Sequence, residues 1–135
     1  MKTIEEIENI MNHSTGTVNY YVLNHISRTP EGKFILLTDG AMAIAEAAEC
    51  HWLFDIIASY QRNRQLDQRF QVWKFAYYPE NERPRNRNGG KFMAHVTGSN
   101  DVEPIIMQKI PYTDFPLESI KLYYQNGVIM VPNEY

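Results

Sequence analysis

The run from Thr38 to Gln61, TDGAMAIAEAAECHWLFDIIASYQ, constrains the chain more than any other stretch. Its periodicity predicts one long helix, about 40–61. Thr38 and Asp39 are residue types that cap orphan N–H groups at a helix start, and the alanines that follow lose no side-chain freedom on entering a helix. No proline interrupts the run. Ile44, Ala48, Trp52 and Ile56 recur every four residues. Ala45, Phe54, Ile57, Ala58 and Tyr60 widen the apolar surface until the second half is apolar nearly all round. At 1.5 Å per residue this helix is roughly 33 Å long, against a radius of gyration of about 14 Å for a compact chain of this size. It would cross the whole domain and set the direction of everything packed on it.

A chain of 135 residues suits one domain that buries about two-thirds of its unfolded surface without metal or disulfide staples. Aromatic residues make up 13% and charged residues 21%, which supplies a bulky core and argues against disorder. The lone Cys50 allows no intramolecular disulfide, so a reducing, cytoplasmic setting is expected. The charged N-terminus lacks the apolar segment of a signal peptide, and no apolar run approaches the length of a membrane span. His13, His25, His51 and His95 are scattered without a zinc spacing, so neither a metal nor a cofactor is expected.

Residues 3–12 read as a short amphipathic helix in which Thr3 and Glu6 have the spacing of a capping box. Residues 17–23 alternate, predicting a strand with Val18, Tyr20 and Val22 on one face. Thr29-Pro30-Glu31-Gly32 has turn chemistry, and Phe34 to Leu37 is a short strand leading into the long helix. After the helix, residues 70–78, 91–97 and 105–110 read as strands. The segment 79–90 between the first two is a long basic loop of Pro, Asn, Arg, Glu and Gly, expected to be mobile. Asn126-Gly127 between residues 120–124 and 128–131 is a type I′ hairpin signal, because both central residues of that turn need positive φ. The expected fold is therefore α+β in a single domain, residues 1–135: a mainly antiparallel sheet of about five to six strands, the long central helix across one face, and a short N-terminal helix with its linker over 1–15.

Several blocks resemble those of a family of small uncharacterised bacterial proteins, a domain of unknown function. They are Thr38-Asp39-Gly40, residues 52–61 (WLFDIIASYQ), residues 71–74 (QVWK), residues 108–117 (QKIPYTDFPL) and residues 131–135 (VPNEY). They run from about residue 16 to the C-terminus, while the first 15 residues and the loop at 79–90 look peculiar to this chain. The resemblance implies one intact bacterial domain and carries no catalytic residues with it.

Candidate sites come from residue type and spacing. Asp55, between Phe54 and Ile56, would be costly to bury unpaired. His51 one turn before it, Ser59 one turn after, the Trp73 indole and Arg62 are possible partners. His51 and Asp55 at i,i+4 face the same way and have the chemistry of a general base or a metal-binding pair; the structural alternative is that Asp55 satisfies a buried donor. Cys50 has the residue type of a nucleophile but projects about 100° from His51 on a helix, so a dyad would need another histidine such as His95. Thr38-Asp39 and Thr113-Asp114 read as caps rather than acid–base pairs.

The net charge of −3 hides an asymmetry. Between Arg62 and Lys91 eight basic residues face Asp67, Glu80 and Glu82, and the rest of the chain is correspondingly acidic. Arg62, Arg64, Arg69, Arg83, Arg85, Arg87 and Lys91 are the candidate binding residues, with Tyr77 and Tyr78 available for stacking on bases. Three functions stay open: a binding or interaction module without catalysis, homo-oligomeric or with a protein partner; a nucleic-acid-associated protein using residues 62–91, although no nucleic-acid motif is present; and an enzyme with a pocket near His51 and Asp55.

Overall fold

A computed structural model describes all of residues 1–135. The elements are α1 (Ile4–His13), β1 (Tyr21–Val22), β2 (Leu36–Leu37), α2 (Asp39–Ala47), α3 (His51–Ser59), β3 (Gln71–Tyr77), β4 (Ala94–Ser99), β5 (Pro104–Ile110), β6 (Ser119–Gln125) and β7 (Val128–Met130). The strands form one sheet in the order β1-β2-β7-β6-β3-β4-β5. Neighbours are antiparallel except β2 and β7, which run parallel. The α+β class is as expected, but the sheet is a mixed one of seven strands. The two edge strands, β1 and β2, are two-residue remnants of the segments read as strands at 17–23 and 34–37, and the parallel pairing joins segments that sequence order keeps far apart.

The expected long helix is two helices. α2 stops at Ala47, and the chain passes through Glu49 with φ of 51° before α3 begins. The break is a Schellman closure: the Cys50 N–H donates to the Ala45 carbonyl at 3.0 Å and the Glu49 N–H to the Glu46 carbonyl at 3.3 Å. Glu49 occupies the left-handed position usually given to glycine, and buried Cys50 packs beside buried Ala45 as this motif requires. Breaking the rod lets each half aim its own apolar stripe inward, with Ala41, Ile44 and Ala45 from α2 and Leu53, Phe54 and Ile57 from α3 all buried in one core.

The start of α2 is tied to the C-terminal segment. Thr38 caps the helix by accepting from the Ala41 N–H at 3.2 Å, and its hydroxyl donates to Glu134 Oε1 at 2.6 Å. The same carboxylate accepts from the Val131 N–H at 3.0 Å, the Gly40 N–H at 3.1 Å and the Ser14 hydroxyl at 3.2 Å. A Cβ on residue 40 would lie 2.5 Å from Ser14 Oγ and 2.6 Å from Glu134 Oε1, so any larger residue would push these groups out of the clasp. Asn133 Nδ2 donates to the carbonyls of Met11 and Asn12 at the end of α1.

Asp39 does not cap. Its carboxylate accepts from the N–H groups of Val18 at 2.8 Å and Asn19 at 3.4 Å, and the Val18 bond holds the carboxyl below its usual range. That anchoring replaces ladder pairing over 17–20. The expected strand there shrinks to β1, and Val18 and Tyr20 point into solvent. At the other end, α1 begins with the predicted box, the Glu6 N–H donating to Thr3 Oγ1 at 3.2 Å.

Beneath α3, β3 turns Gln71, Trp73 and Phe75 inward. Trp73 lies across Gly98 of β4, where a Cβ would come within 2.5 Å of the ring. Its indole N–H donates to Gln71 Oε1 at 2.9 Å, and Gln71 and Gln61 exchange two amide bonds of 2.8 and 2.9 Å. Gln68 Nε2 donates to Gln61 Oε1, and the Tyr124 hydroxyl donates to Gln68 Oε1. Every amide in this buried network is paired, as burial demands. The β6–β7 turn is the expected one, with φ of 50° at Asn126 and 86° at Gly127.

Two substitutions test these joints. Glu49→Gly relieves the left-handed strain and should raise stability by about 0.5–1 kcal/mol in chemical denaturation. Glu134→Ala leaves two N–H donors and two hydroxyls without their acceptor and should cost about 2 kcal/mol in the same measurement.

Candidate functional site

The break before α3 decides where the helical candidates fall. Leu53, Phe54, Ile57 and Ala58 face the core, so His51, Asp55 and Ser59, four residues apart, form the exposed stripe. Asp55 is therefore not buried as expected. It accepts from Asn24 Nδ2 at 3.2 Å, while Ser59 donates to the Ile56 carbonyl and the Trp73 indole is spent on Gln71. None of the five surface depressions is lined by His51 or Asp55. Cys50 is fully buried, its thiol 3.6 Å from the Ile44 carbonyl, and burial pushes its pKa up to about 12. His95 lies on β4 against Tyr78, with ring centroids 4.7 Å apart. Its Nδ1 is buried without a partner, and burial lowers its pKa.

The basic candidates divide into three groups. Arg69 is taken by Asp67, with Nη2 to Oδ2 at 2.9 Å. Arg62 and Arg64 line a cleft that Arg28 enters from the opposite side, a partner that sequence order had hidden. Arg83, Arg85, Arg87 and Lys91 belong to the connection from β3 to β4. This connection contains a turn of 3-10 helix over Glu80–Glu82 and a bridge pairing Arg85 with Lys91.

A further basic surface lies on the sheet. No helix covers the second face of the sheet. Lys74 of β3 stands directly opposite Lys121 of β6, and Lys109 of β5 is registered beside His95 of β4. All three lysines are exposed, and the alternation of β3, β4, β5 and β6 brings no carboxylate to this face. Aromatic rings border it. Phe70, Tyr123 and Tyr135 cluster at one end with centroids 4.9 to 5.5 Å apart, and the Lys121 ammonium lies 5.9 Å from the Tyr123 ring. At the other end Lys109 lies 5.7 Å from the Phe92 ring. Lys74 and Lys121 were not among the expected binding residues. The signal was present, a lysine at an outward position of each of two otherwise uncharged strands, but only the register shows that they meet.

A model for a family of unknown function, DUF6876, matches residues 5–135. The chain belongs to this family. The resemblance read from the sequence blocks is to a family of this kind, but the DUF6876 match starts at residue 5 and so takes in most of α1, which had looked peculiar to this chain. Neither the curated proteins nor the solved structures compared with the DUF6876 chain contain a match. No helix of it is long and apolar enough to cross a membrane.

A buried thiol with a raised pKa is a poor nucleophile. Cys50 of the native DUF6876 chain should resist iodoacetamide at pH 8 and react once the chain is unfolded; mass spectrometry before and after denaturation measures this directly.

Proposed function

We propose that this chain is a binding module whose uncovered sheet face takes single-stranded nucleic acid. The observation that carries the reading is the opposed pair Lys74 and Lys121 on a face without carboxylates. Like charges directly across an antiparallel pair destabilise a sheet. Three ion pairs occur in the chain, joining Glu49 to the N-terminal amino group, Lys33 to Glu31 and Arg69 to Asp67, and none relieves these lysines. Two unneutralised ammonium groups in this position are better accounted for by an anion that binds between them than by folding.

Nucleic acid is favoured over an acidic protein because rings accompany the cations. Tyr135 keeps 66% of its surface exposed beside Phe70 and Tyr123. An open sheet face with aromatics for base stacking and lysines for phosphates is a working solution for single strands. The net negative charge of the chain does not oppose this, since the local field at the face governs encounter. The other occupant with support from charge is a second copy of the chain, presenting the glutamates of α1. Glu5, Glu6 and Glu8 line a shallow depression of about 670 Å³ on the solvent side of that helix.

Fluorescence anisotropy with a short labelled oligonucleotide of mixed sequence is the test. Binding at low salt should weaken with a log–log slope of about −2 if the three lysines each neutralise a phosphate. Lys74→Thr should flatten that slope while raising the melting temperature, because it removes the like-charge pair. Absence of binding at low salt, or binding that ignores both Lys74→Thr and Lys121→Thr, would sink the reading. So would a concentration-dependent dimer that disappears on reversing the charges of Glu5, Glu6 and Glu8.

A further inference from the structure

We propose that the cleft between residues 28–32 and 61–68 is a second, separate site for a compact phosphate-bearing anion. The cleft holds about 490 Å³ and is lined by Arg28, Arg62 and Arg64 together with Thr29, Asn63 and Gln68; no carboxylate lines it. None of the three guanidinium groups is within ion-pair distance of an acidic side chain.

Both walls are built before any ligand arrives. On one side the Gly32 N–H donates to the Thr29 carbonyl at 2.9 Å, the Thr29 N–H to the Lys33 carbonyl at 2.8 Å, and the Lys33 N–H to Thr29 Oγ1 at 3.1 Å. Arg28 is held over the Phe34 ring, 3.8 Å from its centroid, and donates to the Gly32 carbonyl at 3.3 Å. On the other side the Asn63 N–H donates to the Tyr60 carbonyl at 2.9 Å, Asn63 Oδ1 accepts from the Gln65 N–H at 2.9 Å, and buried Leu66 plugs the turn into the core. The side-chain amides of Gln61 and Gln68, fixed by the network around Trp73, close the base.

Complementing the α3 dipole does not account for this set. The helix ends at Ser59, and that effect dies within the last turn, so Arg64 lies beyond it. Guanidinium forks match phosphate oxygens bidentately. The lining is polar apart from Leu66 and Pro30, which selects for phosphate groups rather than for an apolar body.

Inorganic pyrophosphate is the probe, with sodium chloride at matched ionic strength as control. At tenfold excess over its dissociation constant it should raise the melting temperature by about 5 °C. The gain should vanish in Arg62→Gln/Arg64→Gln, whose exposed side chains are not part of the core, and persist in Lys74→Thr. A 5′-phosphorylated oligonucleotide that binds more tightly than its unphosphorylated form only in the wild type would identify the anion as a strand end; equal binding of the two would identify it as a free phosphate compound. No shift with pyrophosphate, or a shift that survives the double arginine substitution, would overturn the site. A shift lost in Lys74→Thr but kept in the arginine variant would assign the anion to the sheet face instead.

Discussion

The carboxylate of Glu134 holds together parts of the chain that have little else in common. Its two oxygens take four donors from the end of α1, the first turn of α2 and the residue after β7. A helix start offers unpaired N–H groups and the positive end of a dipole, so an anion there is stabilised twice. What distinguishes this case is that the anion is the chain's own, delivered from near its C-terminus. Gly40 allows the approach and Asn133 secures α1 in the same movement. β1 and β2 contribute two residues each to the sheet, so without this clasp the first forty residues would rest mainly on the packing of Ile7, Ile35 and Leu37.

The resemblance blocks become intelligible as contacts. Thr38 and Gly40 meet Glu134 at the clasp, and Gln61 meets Gln71, which also accepts from the Trp73 indole, in the amide network. Segments remote in sequence are thus paired in space, each pair satisfying polar groups that burial would otherwise leave costly. These residues hold the domain together. Of the groups proposed to bind ligands, Lys74, Lys109 and Tyr135 lie within the blocks, while Lys121, Arg28 and Arg64 stand outside them.

Local chemistry was legible and register was not. Thr3 with Glu6, Asn126 with Gly127, and the alternation of Gln71, Trp73 and Phe75 each state their structure within a few residues. The break at Glu49 could not be read this way, because no glycine or proline marks it; burial of Cys50 against Ala45 compensates for the left-handed residue. That break also moved Asp55 from the expected interior to solvent. Arg62 and Arg64 were identified by type, but their partner Arg28 lies across a turn, and Lys74 and Lys121 are neighbours only through the β3–β6 pairing. Sites assembled from several elements are invisible until those elements have a register.

The parallel pairing of β2 with β7 also imposes an order in time. β4 and β5 are joined by the short connection 100–103, and β6 with β7 by a two-residue turn, so these pairings need little loop entropy. β2 has no place to dock until β7 exists, and β1 can only add to β2. The edge carrying Thr29 and Arg28 therefore reaches the rest of the sheet only through β7. One wall of the arginine cleft belongs to that edge, and an anion bridging it to Arg62 would act as a latch on it.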